Sequence, residues 1–359
     1  MKRKILLSVL AALLVVSLLL AACAKPAPTP APPPPKPAEP VVIGVPSSLY
    51  AVMVRDALNA IKLAVEEINA EGGVLVGTEK RPLKLVVADT RDAEPGVPVH
   101  EAMMTYEKMI SQEKPHAILL GAYRSEAMLA ALDLVAKYKI PHITGIAQTP
   151  AFKEKFLSDP EKYKYCFRVP YYSTDAGKFT AHTIDYLKEE CGFSRVYCLT
   201  VDVLWAKAHG GYLYSHCEKT GWDLIGSDTY AVGATDFSPA LAKAKEGEAQ
   251  LIIFDWDMPT GVGLFFKQFA AMRVPAVPLG IMLGASSWRS YETIGPEIEY
   301  SLHNDMMGAS LPLEKWPPSV KFLDAYKAKY GDLPDSSYAN SDNYDSVYLL
   351  ADALERAGS

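Results

Sequence analysis

Ile118-Leu-Leu-Gly-Ala-Tyr-Arg-Ser-Glu-Ala127 reads as a strand, a tight turn and a helix start in immediate succession. The apolar run from Ala117 to Leu120 predicts a buried strand. Gly121 breaks it, and Ser125 opens a segment with Met128, Leu132 and Val135 on one helical face. In open α/β sheets this is where ligands bind. The carboxyl end of a parallel strand points into a crevice, and the free N–H groups and positive dipole end of the next helix suit a carboxylate. Ser125 adds a hydroxyl at the same place, although serine is also a favoured N-cap that needs no ligand.

Upstream, Val41 to Pro46 predicts a strand, and Ala57, Ile61, Ala64 and Ile68 share a helical face that Gly72-Gly73 ends. Strands at Leu83 to Ala88 and Pro141 to Gly145 and a helix over Val99 to Ile110 continue the alternation. After Tyr165-Cys-Phe-Arg-Val169 the plan begins again, with strands at Arg195 to Val201, Leu224 to Tyr230, Leu251 to Asp255 and Val277 to Leu283. Thr235-Asp236 is read as the cap of the helix carrying Phe237, Leu241 and Ala244. Two helices, Ser319 to Tyr330 and Asn343 to Ala357, close the chain without a further strand. This pattern implies an α/β protein of two doubly wound lobes with mostly parallel sheets.

Composition bounds the function. Of 359 residues 49% are hydrophobic, enough for a sizeable core, and a net charge of −6 argues against nucleic acid or an anionic membrane surface as partner. The exception is the N-terminus. Lys2-Arg3-Lys4 followed by the apolar Ile5 to Leu20 has the form of a signal peptide over residues 1–22. Leu20-Ala21-Ala22-Cys23 resembles the lipobox of bacterial lipoproteins, which makes Cys23 the lipidation site and the lipid the only membrane attachment. An ordinary signal peptide with a chance cysteine, or an uncleaved anchor helix, is the competing reading. Residues 23–40, rich in proline, read as an extended tether.

A run of motifs from Val41 to the last residue then carries a resemblance: IGVPSS, AVEEINAEGG, LKLVVADTRDAEP, ILLGAYRSEA, IPHITGIAQTP, TDFSPALAKAK and NYDSVYLLADALERAG. In order and spacing the chain resembles the type I periplasmic binding protein fold, and within it the Leu/Ile/Val-binding family of ABC-transporter substrate-binding lipoproteins. The resemblance implies lobe I over residues 41–168 and 309–359, lobe II over 169–308, and hinge crossings near Arg168 to Ser173 and Asp305 to Ser310. It also implies a third crossing beyond Ser359, a chain that ends early, ABC permease subunits as partners, a monomer, and no cofactor or metal.

Carried over residue by residue, the family's clamp on an α-carboxylate and α-amino group falls on Ser125, on Ile146-Ala147-Gln148 with Thr149 beside it, and on Met282. The acid that pairs the amino group in amino-acid binders is thus replaced by a thioether. An ammonium in a closed cleft needs a fixed anion. Unless Asp202, Asp255 or Asp257 turns into the cleft, the ligand therefore lacks a free amino group. Trp205 and Trp256 are candidate walls, with Tyr50, Tyr123, Tyr171 and Tyr172 completing a flat apolar pocket. Bland alternatives stand beside these: the tryptophans as packing, Tyr171 and Tyr172 as hinge filler, Arg124 facing solvent, and Tyr338 and Asp342 as helix-start residues.

Cys166, Cys191, Cys198 and Cys217 show no metal spacing and their pairing is not readable, with Cys198 expected as a buried free thiol. The 7 histidines are scattered, no nucleophile elbow, phosphate loop or HExxH motif occurs, and His209-Gly-Gly211 reads as a loop or helix start. The reading is a non-enzymatic, exported binding lipoprotein for a small organic acid, amide or amino-acid-like solute. A ligand sensor of the same fold and an exported hydrolase are the alternatives.

Overall fold

The computed structural model describes residues 2–22, 38–256, 258–304, 312–336 and 338–358. The chain divides into two units, residues 1–37 and 38–359. In the first, helix α1 (Lys2–Ala22) exposes Ile5, Leu6, Leu10 and Leu13. Cys23 and the tether to Pro37 lie outside the described residues.

The second unit opens with β1 (Val41–Ser47), α2 (Val52–Ala70), the short antiparallel hairpin β2 (Val74–Val76) and β3 (Glu79–Arg81), and β4 (Leu83–Asp89). There follow α3 (Val99–Glu113), β5 (Ala117–Leu120), α4 (Ser125–Tyr138), β6 (His142–Thr144), α5 (Ala151–Ser158), α6 (Pro160–Tyr163) and β7 (Cys166–Arg168). The five long-range strands form one parallel sheet in the order β4-β1-β5-β6-β7. Fully buried Ile43, Ile118 and Leu119 are apolar on both faces of the sheet, as a strand covered on both sides requires.

The next elements are α7 (Ser173–Cys191), β8 (Arg195–Val201), α8 (Leu204–Lys219), β9 (Asp223–Tyr230), α9 (Ser238–Glu246), β10 (Leu251–Asp255), α10 (Pro259–Met272), β11 (Val277–Gly280), α11 (Ser290–Ile294) and β12 (Leu302–His303). Their strands form a second parallel sheet, β12-β11-β10-β8-β9. Counted within each lobe, both sheets have the strand order 2-1-3-4-5, whose topological switch point lies between the first and third strands. Finally α12 (Pro317–Tyr330) and α13 (Ser341–Ala357) return to the first lobe. Phe322, Leu323 and Tyr326 pack on Ala60 and Leu63 of α2, and Val347 and Leu350 join the core around β1.

One crossing between the lobes follows β7. Arg168 pins it, with Nη2 donating to the carbonyls of Ala147 at 3.3 Å, Pro170 at 3.0 Å and Tyr171 at 2.8 Å, and its guanidinium lies 3.9 Å from the Tyr172 ring centroid. The crossing read near Asp305 to Ser310 lies outside the described residues.

Three local readings are corrected. The N-cap of α9 is Phe237 and not Thr235-Asp236; Asp236 instead accepts from Ser238 N–H at 3.0 Å. His209-Gly-Gly211 lies inside α8 rather than in a loop, because Gly210 packs its bare Cα against Thr200. The strand from Val277 stops at Gly280, where φ of +158° turns the backbone, and pairing resumes as a single bridge at Met282.

Candidate functional site

The site begins at the end of β5. Leu119 carbonyl accepts from Gly121 N–H at 2.8 Å, closing a three-residue turn around Leu120, which sits at φ +66°. A leucine in the left-handed region is costly, and such outliers persist where the surroundings enforce them. Gly121, at φ +80°, has no room for a side chain: a Cβ would stand 2.5 Å from His142 Nε2. The loop is fixed from behind. Ala122 N–H donates to Tyr106 Oη at 2.8 Å, and Arg124 N–H donates to Asp92 Oδ2 at 2.7 Å. Thr90 Oγ1 donates to the other Asp92 oxygen at 2.5 Å.

Arg124, extended, is the N-cap of α4, and it offers no side-chain cap. Ser125 is therefore the first helical residue rather than the cap. Its Oγ is buried and has no hydrogen-bond partner. A buried hydroxyl without a protein partner, at the start of a 14-residue helix, is placed to donate to an acceptor in the cavity.

Ser125 lines a small cavity, about 30 Å³, between the lobes. On the first lobe Tyr123, Arg124, Met53 and Tyr338 share its wall with Ile146, Ala147 and Gln148 from the loop after β6. The second lobe contributes Val203 and Trp205 from the start of α8, and Ile281 and Leu283 from beyond β11. The cavity's charged lining group is Arg124, whose Nη2 donates to Val97 carbonyl at 2.7 Å and whose buried Nε has no partner.

Tyr338 links the walls: its hydroxyl donates to Ile146 carbonyl, and its ring meets Tyr171 edge-on at 5.9 Å. Asn343 of α13 holds the same loop, Nδ2 donating to Gly145 carbonyl at 2.8 Å.

Of the residues named from sequence, Tyr123, Ser125, Ile146, Ala147, Gln148 and Trp205 come together on this cavity. Four do not. Thr149 is buried and its Oγ1 accepts from Ala151 N–H at 3.3 Å, shaping the entry to α5. Tyr171 packs edge-on against Tyr338 in the crossing that follows β7. Trp256 and Met282 are both 0% exposed, inside the second lobe's aromatic core. Trp256 stands 4.9 Å from Phe237 and 5.6 Å from Phe254 between ring centroids, so it walls the core and not the cleft. Tyr50 is exposed and lines nothing here. Arg124, read as facing solvent, faces the cavity.

The candidate acids are also placed. Asp202 is exposed and paired with Lys207. Asp255 is fully buried, accepting from Ile281 N–H at 3.1 Å and lying 2.7 Å from His209 Nδ1. Asp257 lies outside the described residues. No described aspartate or glutamate lines the cavity.

Asp255, His209 and Thr180 form a carboxylate–imidazole–hydroxyl row, with His209 Nε2 3.0 Å from Thr180 Oγ1. Geometry alone would suggest a hydrolase relay. All three are sealed in the core, and the threonine oxygen is also bonded to Ala176 carbonyl at 3.0 Å and to Asn304 Nδ2. No substrate could reach it. Among the described residues no cluster of His, Cys, Asp or Glu is placed to hold a metal, and Cys166, Cys191, Cys198 and Cys217 are free.

Sequence reading missed Met53, Val203, Ile281 and Leu283. The available signal for the last two was strand alternation, since they flank the Met282 position that the motif pointed to.

The comparisons agree with this architecture. A family model described as periplasmic binding protein matches residues 41–359. A Leu/Ile/Val-binding protein homolog of Brucella abortus is 21% identical over 313 residues, 85% of this chain and 74% of its own. The structure of a leucine-binding protein from Thermotoga maritima superposes with a TM-score of 0.71 at 24% identity, covering 89% of this chain and 84% of that one. An ABC-transporter solute-binding protein from Rhodopseudomonas palustris, in complex with 3,4-dihydroxybenzoic acid, gives 0.68 at 19% identity over 88% and 81% of the two chains.

Proposed function

The chain belongs to the type I periplasmic binding protein family, whose members hold solutes rather than transform them, and we propose that it captures a small organic acid for an ABC importer. The observation that carries this reading is the Ser125 hydroxyl, buried without a partner at the mouth of α4 in a cavity that both lobes wall. A ligand carboxylate there would accept from Ser125 and the first-turn N–H groups of α4, with the Arg124 guanidinium on the same wall. Val203, Trp205, Ile281 and Leu283 offer the rest of the solute an apolar, partly aromatic surface.

The same lining disfavours an ammonium. With no described carboxylate on the cavity wall, an α-amino group would be desolvated without a counter-ion. This favours an acid or amide lacking a free amine over leucine or valine. The relatives span both classes, one being named for leucine and another holding a dihydroxybenzoic acid. The lobes are taken to hinge at the crossing after Arg168. Export, with lipid on Cys23 and the proline-rich stretch as tether, and delivery to permease subunits complete the proposal.

Native mass spectrometry of the body without Cys23, followed by denaturation and identification of any released molecule, tests it. A released carboxylate without an amine is the expected result. A released amino acid overturns the amine-free reading and directs attention to Asp257.

A further inference from the structure

Next to Ser125, a second side chain leaves the start of α4 in another direction. Leu204 N–H, the first of α8 in the second lobe, donates to Glu126 Oε1 of the first lobe at 3.1 Å. The N-cap of α8 is Val203, which has no side-chain acceptor to offer. A helix start without its own cap leaves donors and the positive end of the dipole unanswered. The cap of a second-lobe helix is therefore supplied by the first lobe. Glu126 also lies in the first turn of its own helix, so a single carboxylate stands between the N-termini of α4 and α8.

We propose that Glu126 is an interlobe latch, a positioning residue that sets how far the two-lobe equilibrium lies towards closure and hence how long the cleft keeps its solute. This rests on the reading of the cavity as a cleft that closes. The bond to Leu204 exists only when the lobes meet, so it weights the closed state and not the open one. Glu126 is absent from the cavity lining, which separates its role from that of Ser125. Its second oxygen is buried without a partner, a desolvation cost that keeps the latch from locking. An ion pair that bridges the lobes, Arg289 with Asp332, has both side chains about 40% exposed and so weights closure little.

The test uses double electron–electron resonance on the body without Cys23, with one label at Lys114→Cys in the first lobe and one on the exposed native Cys191 in the second. Distances are recorded without solute and with 3,4-dihydroxybenzoate as probe. Without solute, the unmodified latch is expected to populate the short interlobe distance, and Glu126→Ala to lower the ratio of short to long about tenfold, as loss of one charge-assisted bond would. Glu126→Gln, which keeps an acceptor oxygen and loses the charge, falls between, and Arg289→Gln stays near wild type. A Glu126→Ala ratio equal to wild type, or no short distance in the wild type, overturns the latch. The solute-free ratio does not depend on which solute the cleft takes, so failure of the organic-acid reading shows instead as a probe that changes nothing.

Discussion

Trp256 and Met282 form a single parallel bridge, Trp256 N–H donating to Ile281 carbonyl at 2.9 Å and Leu283 N–H donating to Trp256 carbonyl at 3.1 Å. Both side chains turn into the second lobe's core, and the alternation of a strand then presents Ile281 and Leu283 to the cavity. The position that the family resemblance assigns to an acid is thus directed away from the cavity. Met282→Glu is expected to bury an unpaired carboxylate, destabilising the fold by about 3 kcal/mol or more, with no gain in leucine binding. Chemical denaturation and calorimetry with leucine check both halves, and micromolar leucine affinity in the variant would refute the placement.

The two tryptophans should separate by assay. Trp256→Ala empties a fully buried aromatic cluster and is expected to cost about 3–5 kcal/mol of stability. Trp205→Ala, at a half-buried cavity wall, is expected to lower solute affinity at least tenfold with a small change in melting temperature. Equal loss of stability in the two variants would contradict the division.

Ser125→Ala removes the unpartnered hydroxyl without leaving a protein group unpaired, so the fold is expected to be as stable as wild type or slightly more so. Solute affinity is expected to fall about tenfold or more, as loss of a hydrogen bond to a charged group implies. Titration calorimetry with the solute identified by mass spectrometry reads the difference; unchanged affinity would remove Ser125 from the site.

His142 is fully buried with neither ring nitrogen bonded, and burial holds its pKa down at about 3 against an ordinary 6.5. The folded state keeps the imidazole neutral while the unfolded chain takes up a proton below 6.5. Its contribution is therefore complete above that pH and is lost as pH falls towards 3, about 4 to 5 kcal/mol at the limit. His142→Leu is expected to flatten the acid limb of the stability profile. Asp56 acts with the opposite sign, since burial raises its carboxyl to about 6 and its contribution is lost as pH rises through that value. It is present in both proteins and cancels from the comparison. An acid limb equally steep in the variant would count against His142.

Thiol chemistry offers a simple readout of packing. Burial pushes Cys166 and Cys217 up to about 12 and Cys198 further, whereas Cys191 is exposed. In the body without Cys23, iodoacetamide at pH 8 is expected to modify Cys191 alone before denaturation and all four thiols after it. More than one adduct on the native protein would show that the cores around β7 or β8 open.

By itself the sequence determined the order of strands and helices, the repetition of one α/β plan, and the strand–turn–helix at Ser125. Each of these is written in short-range periodicity: apolar runs of strand length, helical faces at three- and four-residue spacing, glycines where a chain must turn. Only the tertiary structure decided which side of each strand end meets the cleft. Ile281 and Leu283 against Met282, or Trp205 against Trp256, differ by a single step of alternation or by which element covers them. It also decided that Arg124 lines the cavity, that Asp255 turns to His209, and that Glu126 reaches Leu204 on the other lobe. Those partners are separated by tens of residues, so nothing in the local sequence of either one names the other; the packing of two sheets against a shared cleft brings them together.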